Sequence, residues 1–424
     1  MGETKTRVSR RGFLKVAAAG ATAATAGFTI LHKAHAANAD LIKVGLIGCG
    51  GRGTGAAQDC LKSSDNLKLV AMADVFQDRL DGCLAQIKKN KQLAENVAVD
   101  PDHCFTGFDA YKKLLATDIN VALICSPIFF HSIHLMAAIE AGKHCFMEKA
   151  AAVDAPGIRQ IIAAGKLAKE KNLNIAVGSQ RRHQREYIET IKRVHDGAIG
   201  DIVAGNVWWC GGRYGPENPK PPDQSDVEHQ IRTWYSWRWT SGDHIVEQHV
   251  HNLDVMTWVM GKYPNEARGM GSRLRRPIGD AYDNFAVDFV FDGDVHVASM
   301  CRQIPGCWGT VGEFFVGTKG KTNCQNRIWG GTEWSAEPGD SKPYIQEHTD
   351  LIAAIRGEKP YLNEAENIAK STLCGIMGRT SAYTGQAIKW DQAMNFQERW
   401  GPKEFALTDN PAPPPPIPPS PLPK

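Results

Sequence analysis

The sequence has no C-x-x-C pair; its eleven cysteines are an odd number and lie scattered along the chain. That spacing speaks against a zinc ribbon, a thioredoxin-type redox pair and a disulfide-built fold. Several cysteines sit inside apolar runs, Cys125 in VALICSP and Cys145 in HCFMEK, where the role of a small buried hydrophobe accounts for them. Charge of one sign is equally scarce. Lys and Arg total 49 against 46 Asp and Glu, a net +3, and no dense basic block occurs. Nothing here calls for nucleic acid or an anionic membrane surface as a partner. Internal repeats are absent. The weakly apolar stretch Val16–Leu31, rich in Ala, Thr and Gly, is too short and too polar for stable membrane insertion.

What is present begins with length. The 424 residues suffice for two ordinary domains, and 42% hydrophobic with 22% charged residues is a soluble globular composition. The string Ser9-Arg10-Arg11-Gly12-Phe13-Leu14-Lys15 precedes that weakly apolar run, and AHA at 34–36 offers small residues to a signal peptidase. It resembles a twin-arginine signal at every position of the pattern. The resemblance implies a signal peptide over 1–36, cleavage after Ala36, and delivery of an already folded protein to the periplasm by the twin-arginine machinery.

Past the leader, DLIKVGLIGCG, NLKLVAMADV, NVALICSP, HCFMEK and NIAVGSQ read as short, continuous apolar strands. Helical patterns separate them: FQDRLDGCLAQIKKN, HSIHLMAAIEAGK with Gly142 as C-cap, and PGIRQIIAAGKLAKEKN. Strands alternating with helices predict a doubly wound parallel sheet, a Rossmann-type domain over 37–175. After about Gly200 the pattern changes. DIVAGNVWWC, FAVDFVFDGDVHVASMCRQI and TVGEFFVGTKGK are longer and alternate, which predicts an open, mainly antiparallel sheet in an α+β domain over 176–405. Late helices are expected in HTDLIAAIRG and NEAENIAKSTLCGIMGRTSAYTG. The tail over 406–424, with NPAPPPPIPPSPLPK, predicts an extended, disordered polyproline segment.

Gly48-x-Gly50-x-x-Gly53 follows the first strand and opens a helix-compatible run, and Asp74 closes the next strand. Glycines at this spacing let backbone N–H groups approach a pyrophosphate at a helix N-terminus. An acid about twenty residues on accepts from the ribose hydroxyls. Asp74 would repel a 2′-phosphate, so NAD is favoured; Arg79, able to reach a phosphate or stack on adenine, keeps NADP open.

With EAGKHCFMEKAAA, SPIFFHSIHLMAAIEAGKH, VGSQRR, IGDI and EQHVHNLDV, the chain resembles the glucose–fructose oxidoreductase / inositol dehydrogenase / MocA family over nearly its whole mature length. The resemblance implies a Rossmann domain followed by a sheet domain, through which many members oligomerise. It puts cofactor contacts on Gly48, Gly50, Gly53, Asp74, Ser126, His131, Glu148 and Gln180, and the catalytic lysine on Lys149. It puts the family's D-x-x-x-H-x-x-D helix on Glu247, His251 and Asp254, with His251 as acid/base. Three positions depart from the pattern: Ala150 replaces the proline after the lysine, Ile128 replaces an asparagine, and Glu247 an aspartate. Ala150 puts the cis-type turn often found there in doubt.

The residues support the same chemistry on their own terms. Hydride leaves a sugar carbon only if the attached hydroxyl loses its proton, and histidine is the natural base near neutral pH. An ammonium such as Lys149, just past a strand's C-terminal end, stabilises the developing alkoxide. Glu247, His251 and Asp254, at i, i+4 and i+7, share one helical face, where a carboxylate would raise the basicity of the histidine. His244, Glu247, His249 and His251 also invite a metal reading, which is disfavoured because positions 249 and 251 point to opposite sides of a helix, though to one side of a strand. In TWYSWRWTSGDH, core packing competes with sugar stacking by Trp234, Tyr235, Trp237 or Trp239, with Arg238 on hydroxyls; Arg181, Arg182 and His183 are further candidates to line the cleft.

A carbohydrate or cyclitol oxidoreductase fits best. Export removes the chain from the cellular NAD pool, so the cofactor must stay bound and the hydride must return within each cycle. Two alternatives remain: a redox-neutral glycosidase working by oxidation and elimination, as in N-acetylgalactosaminidase relatives of the family, and a non-catalytic NAD-bound sugar-binding protein.

Overall fold

Six parallel strands form the first sheet: β1 (Ile42–Ile47), β2 (Leu67–Asp74), β3 (Cys104–Thr106), β4 (Val121–Ile124), β5 (His144–Met147) and β6 (Ile175–Val177). Their spatial order is β3-β2-β1-β4-β5-β6. In this computed structural model residues 41–337, 339 and 342–424 are described. The twin-arginine stretch and its cleavage site lie outside the described residues. Strand β4 is buried along its whole length, since helices cover both faces of the sheet. Those helices include Gly51–Ser63, Gln77–Lys89, His131–Glu140 and Ala155–Glu170, the last capped by Asp154, whose Oδ1 accepts from Gly157 N–H at 2.8 Å. Between β1 and β4 the strand order reverses, which opens a crevice at their carboxyl ends. The three-residue edge strand β3 is too short to show in the hydrophobic pattern.

The second sheet is mixed: β7 (Ile202–Gly211), β8 (Glu266–Ser272), β9 (Asn284–Phe291), β10 (Val295–Gln303), β11 (Thr310–Gly317), β12 (Gly320–Thr322), β13 (Arg327–Gly330), β14 (Trp334–Ser335) and β15 (Ile388–Lys389). Its order is β14-β13-β12-β11-β7-β10-β9-β8-β15, antiparallel except where β7 pairs with β10. Strict alternation gives it two unlike faces. Phe285, Val287, Phe289 and Phe291 of β9 are buried, and helix Ala365–Thr384 packs on this inner face. Gly378 lets that helix come close; a Cβ there would sit 3.0 Å from Val287. On the outer face Gly312, Trp208, Met300, Ala286 and Met270 stand in one cross-strand row, with Met270 72% and Met300 40% exposed.

Between β14 and β15 the chain returns to the first sheet. Ile175 N–H donates to Leu362 O at 2.9 Å, and Val177 N–H to Glu364 Oε2 at 2.8 Å. Ile42–Lys424 accordingly form one compact unit. The proline-rich tail differs from the expectation of disorder. It is extended, and body groups satisfy its carbonyls: Tyr282 Oη donates to Pro416 O at 2.6 Å and Gln230 Nε2 to Asn410 O at 2.9 Å. The last residue, Lys424, accepts from the N–H groups of Gln397 and Glu398. Prolines offer no N–H donors of their own, so the tail order comes from donors on the body.

Candidate active site

The crevice at the strand-order reversal is a cleft of about 290 Å³ walled by Gly48, Gly50, Gly51, Asp74, Arg79 and Ser126. Gly48 has φ +95°, and a Cβ there would run into the Cys125–Ser126 backbone. A Cβ on Gly53 would strike the Gly48 carbonyl, whereas one on Gly50 would meet nothing within 4 Å. Gly48 and Gly53 therefore fold the turn, and Gly50 leaves space open on it. Helix Gly51–Ser63 starts here without a side-chain cap or an acidic residue in its first turn, so its leading N–H groups face the cleft uncovered by side chains. Asp74 Oδ2 accepts from Cys49 N–H at 2.6 Å and Oδ1 from Phe76 N–H at 2.9 Å. Burial pushes its carboxyl pKa up, and these backbone donors pull it back. The remaining lone pairs suit ribose hydroxyls.

Other cofactor candidates divide. Ser126 lines the cleft, with Oγ 3.0 Å from His134 Nδ1. His131 does not line it: the ring is buried, with Nδ1 2.7 Å from Ala150 O and Nε2 2.7 Å from Ser126 O. It braces the two loops that flank the cleft instead of touching a ligand. Glu148 is buried in an ion pair with Arg52. Gln180 Oε1 is buried without a hydrogen-bond partner among the described residues, an acceptor of the kind a carboxamide N–H would satisfy. The glycine turn, the uncapped helix and these acceptors fit NAD.

Arg52, inside the glycine loop, is a cleft residue beyond those the sequence pattern points to. It lines the cleft, pairs with Glu148 and lies 5.0 Å from the Tyr344 ring. The basic residue in GGRG was the available signal. His134 is a second such residue; it lines the cleft, and burial lowers its pKa to about 3.

Lys149 lies just beyond β5, and its peptide bond to Ala150 is cis. Its Nζ donates to Glu247 O at 2.5 Å and to Glu247 Oε1 at 2.9 Å. Glu247 Oε2 is buried without a hydrogen-bond partner among the described residues. His251 stacks on Trp209, with ring centroids 5.4 Å apart. Burial holds its pKa well below the ordinary value, and the cations Lys149, Arg181 and Arg52 push it the same way. The expected rise in basicity beside a carboxylate is thus reversed: Glu247 is spent on Lys149.

The single helix expected over 247–254 is broken as well. It runs as His244–Glu247 and Val250–Met260. At the break, Gln248 Oε1 accepts from Gln303 at 3.0 Å, and His249 Nε2 lies 2.8 Å from Ser299 Oγ, so β10 claims both side chains. Asp254 is consequently removed from the Lys149–Glu247 pair. It binds Arg182 Nε at 2.7 Å and Ser371 Oγ at 2.7 Å. Arg182 is committed to that ion pair and lies over Trp258, so it is not available as a substrate contact. Arg181 is likewise paired, with Glu313.

The aromatic cluster also splits. Trp234 and Tyr235 line the cleft, stacked at 3.9 Å. Trp237 instead donates from Nε1 to Thr233 Oγ1 at 2.9 Å. Arg238 binds Asp280 at 2.9 Å and, with Trp239, lines a separate cavity of about 460 Å³ under the tail. A turn through the short helix Arg238–Ser241 carries Arg238 and Trp239 away from the cleft, which adjacency in sequence could not reveal.

A doubly wound sheet with a dinucleotide cleft and a lysine just beyond β5, to which the helix His244–Glu247 of a second domain brings a carboxylate, defines a dinucleotide-dependent oxidoreductase architecture. Two family models match: the oxidoreductase family NAD-binding Rossmann fold over residues 42–179, and the Gfo/Idh/MocA C-terminal domain over 187–322. Together they span well over half the sequence, and the chain belongs to the Gfo/Idh/MocA oxidoreductase family. It is 27% identical over 247 residues to an inositol 2-dehydrogenase of Agrobacterium fabrum, covering 56% of this chain and 62% of that protein. The match therefore spans a little under two thirds of that relative. A myo-inositol 2-dehydrogenase of Thermotoga maritima aligns over its whole length, at 26% identity and 83% of this chain. In fold, the chain is similar to scyllo-inositol dehydrogenase from Lactobacillus casei with bound NAD(H) and scyllo-inositol: TM-score 0.61, 18% identity, 82% of this chain and 99% of that one.

Proposed function

We propose that this protein oxidises a hydroxyl-bearing carbon of a sugar or cyclitol with NAD that stays bound and is recycled on the protein. One observation carries the reading: Glu247 holds Lys149, whose charge bears on a neutral His251, and the preceding residue, Glu148, pairs with Arg52 on the wall of the dinucleotide cleft. Bound NAD supplies the hydride acceptor. Lys149 commits two of its three protons to Glu247, and the third orients the substrate hydroxyl. The unpartnered Glu247 Oε2 accepts from a neighbouring hydroxyl. His251, unprotonated at neutral pH, takes the hydroxyl proton as the hydride leaves the carbon. The second half-reaction runs in reverse: a sugar carbonyl takes the hydride back, and His251 returns the proton. Tyr235 and Trp234 offer ring faces on the cleft wall.

The cyclitol or sugar class rests on the inositol dehydrogenases among the relatives. Twin-arginine export rests on residues 9–15 and is what requires recycling, because no NAD pool exists outside. Asp74 favours NAD over NADP. A homo-oligomer joined through the outer face of the second sheet rests on its exposed apolar row. The test is acid release of cofactor from purified protein, with inositol isomers and aldoses as substrates. NAD should be recovered, and Lys149→Ala should cost about 10²–10⁴ in kcat while retaining the NAD. Recovery of NADP, or full activity in Lys149→Ala, would contradict the reading.

A further inference from the structure

The cleft wall is not built from the first sheet alone. Pro216, Ile231, Arg232, Trp234 and Tyr235 line it too, and all of them come from the segment that follows β7. Helix Asp226–Arg232 carries the two central ones, and its N-cap is Ser225, which accepts from Glu228 N–H at 3.2 Å. Across the mouth of the cleft stands Asp78, in the first turn of helix Gln77–Lys89 and one residue from Arg79. Arg232 binds it through both terminal nitrogens, Nη1 to Oδ2 and Nη2 to Oδ1, each at 3.0 Å. The same guanidinium lies 3.9 Å from the Phe76 ring centroid, and Nε donates to Glu228 at 2.8 Å. A fork held in three ways is more ordered than an ordinary surface ion pair. This end of the cleft is the adenosine end, since it lies next to Asp74 at the close of β2.

The helix is also held from behind. Val227 N–H donates to Thr408 O at 3.2 Å, Asp226 N–H to Asp409 Oδ1 at 3.3 Å, and Gln230 Nε2 to Asn410 O at 2.9 Å. These ties come from the start of the proline-rich tail. That tail is in turn pinned at Pro416 and at Lys424, its last residue.

We infer that Asp78 and Arg232 form a clasp that holds helix Asp226–Arg232 over the adenosine half of NAD and sets how slowly the cofactor leaves, with residues 408–410 of the tail as its backing. This deepens the reading of a retained cofactor and rests on it. Asp78 and Arg232 are positioning residues: they act on the helix that covers the cofactor and not on the reacting carbon. The clasp also gives the tail a role: it keeps the covering helix from lifting.

The test is a release rate. Protein loaded with NADH is chased with excess NAD, and the loss of bound-NADH fluorescence is followed. Asp78→Asn and Arg232→Gln should each speed release by about fivefold to tenfold, as expected for loss of a bidentate pair. The charge swap Asp78→Arg with Arg232→Asp should return release towards the wild-type rate. Truncation after Leu407 should speed release as well. Release at the wild-type rate in both single variants would overturn the clasp; Asp78 is 63% exposed, so its variant does not threaten folding. Retention itself is read separately, from the wild-type rate against turnover. A wild type that releases NADH faster than it turns over would refute retention, while faster release still in the variants would leave the clasp standing.

Discussion

The chemistry proposed for this protein turns on one commitment, Lys149 to Glu247, and on the burial of His251. Because burial and neighbouring cations hold the His251 pKa well below 6.5, the imidazole stays unprotonated through neutral pH. The acid limb of kcat/KM should therefore lie well below 6.5, and His251→Asn should remove it while lowering kcat by about 10²–10⁴; a pH–rate profile checks both. An unchanged acid limb in that variant would assign the titration elsewhere. At this scale the glycine spacing, Asp74 and Lys149 could be read directly from sequence, since each is fixed by local backbone geometry next to a strand. The partners of Asp254 and Arg182 could not. A continuous helical period places Glu247, His251 and Asp254 on one face, but hydrogen bonds of Gln248 and His249 with β10 break the helix between Glu247 and His251. Those bonds are long-range and leave no local trace.

Elements are fixed by close approaches and by buried charge. Gly53→Ala puts a methyl onto the Gly48 carbonyl, so it should weaken NAD binding and cost roughly 1–3 kcal/mol of stability, measured by calorimetry and by thermal unfolding. The short helix Gln180–His183 is tied to the helix Pro343–Ile355 and to the N-cap of helix Ala365–Thr384 through His183, which lies 2.6 Å from Asp350 and 3.3 Å from Glu364. Burial works against its charge, yet these two carboxylates push its pKa up to about 10. The folded protein thus keeps a proton that the unfolded chain has lost between 6.5 and about 10. This contribution to stability is full below 6.5 and drains away as pH rises towards 10. His134 and His249, lowered to about 3 by burial, have the opposite sign: their contribution is full above 6.5 and is lost as pH falls towards 3. Melting temperature scanned over pH should accordingly fall on both flanks, and His183→Asn should flatten the alkaline one. The strands and helices of the first sheet were legible because continuous apolar runs alternate with amphipathic ones. The edge strand β3 and the helix break were not, being set by neighbours in space.

For the whole molecule, the outer row Gly312–Trp208–Met300–Ala286–Met270 is apolar, with Met270 and Met300 exposed, and it is the face on which the proposed homo-oligomer rests. Met270→Lys with Met300→Lys should shift the protein to monomers in sedimentation, with NAD binding intact; an unchanged assembly would place the interface elsewhere. The two-sheet architecture could be read from the change of period near residue 200. The tail could not, because its order comes from donors on the body such as Tyr282 and Gln230 and not from its own composition. The central claim is that the cofactor stays and the hydride returns. It is tested most directly by incubating purified protein, with no NAD added, with a donor sugar or cyclitol and a second sugar as acceptor. The account predicts many turnovers per protein, with equal amounts of oxidised donor and reduced acceptor and the NAD still bound. Turnover that stops after one equivalent and resumes only when NAD is supplied would contradict it, and release of an aglycone from glycosides without net oxidation would point to the elimination chemistry instead.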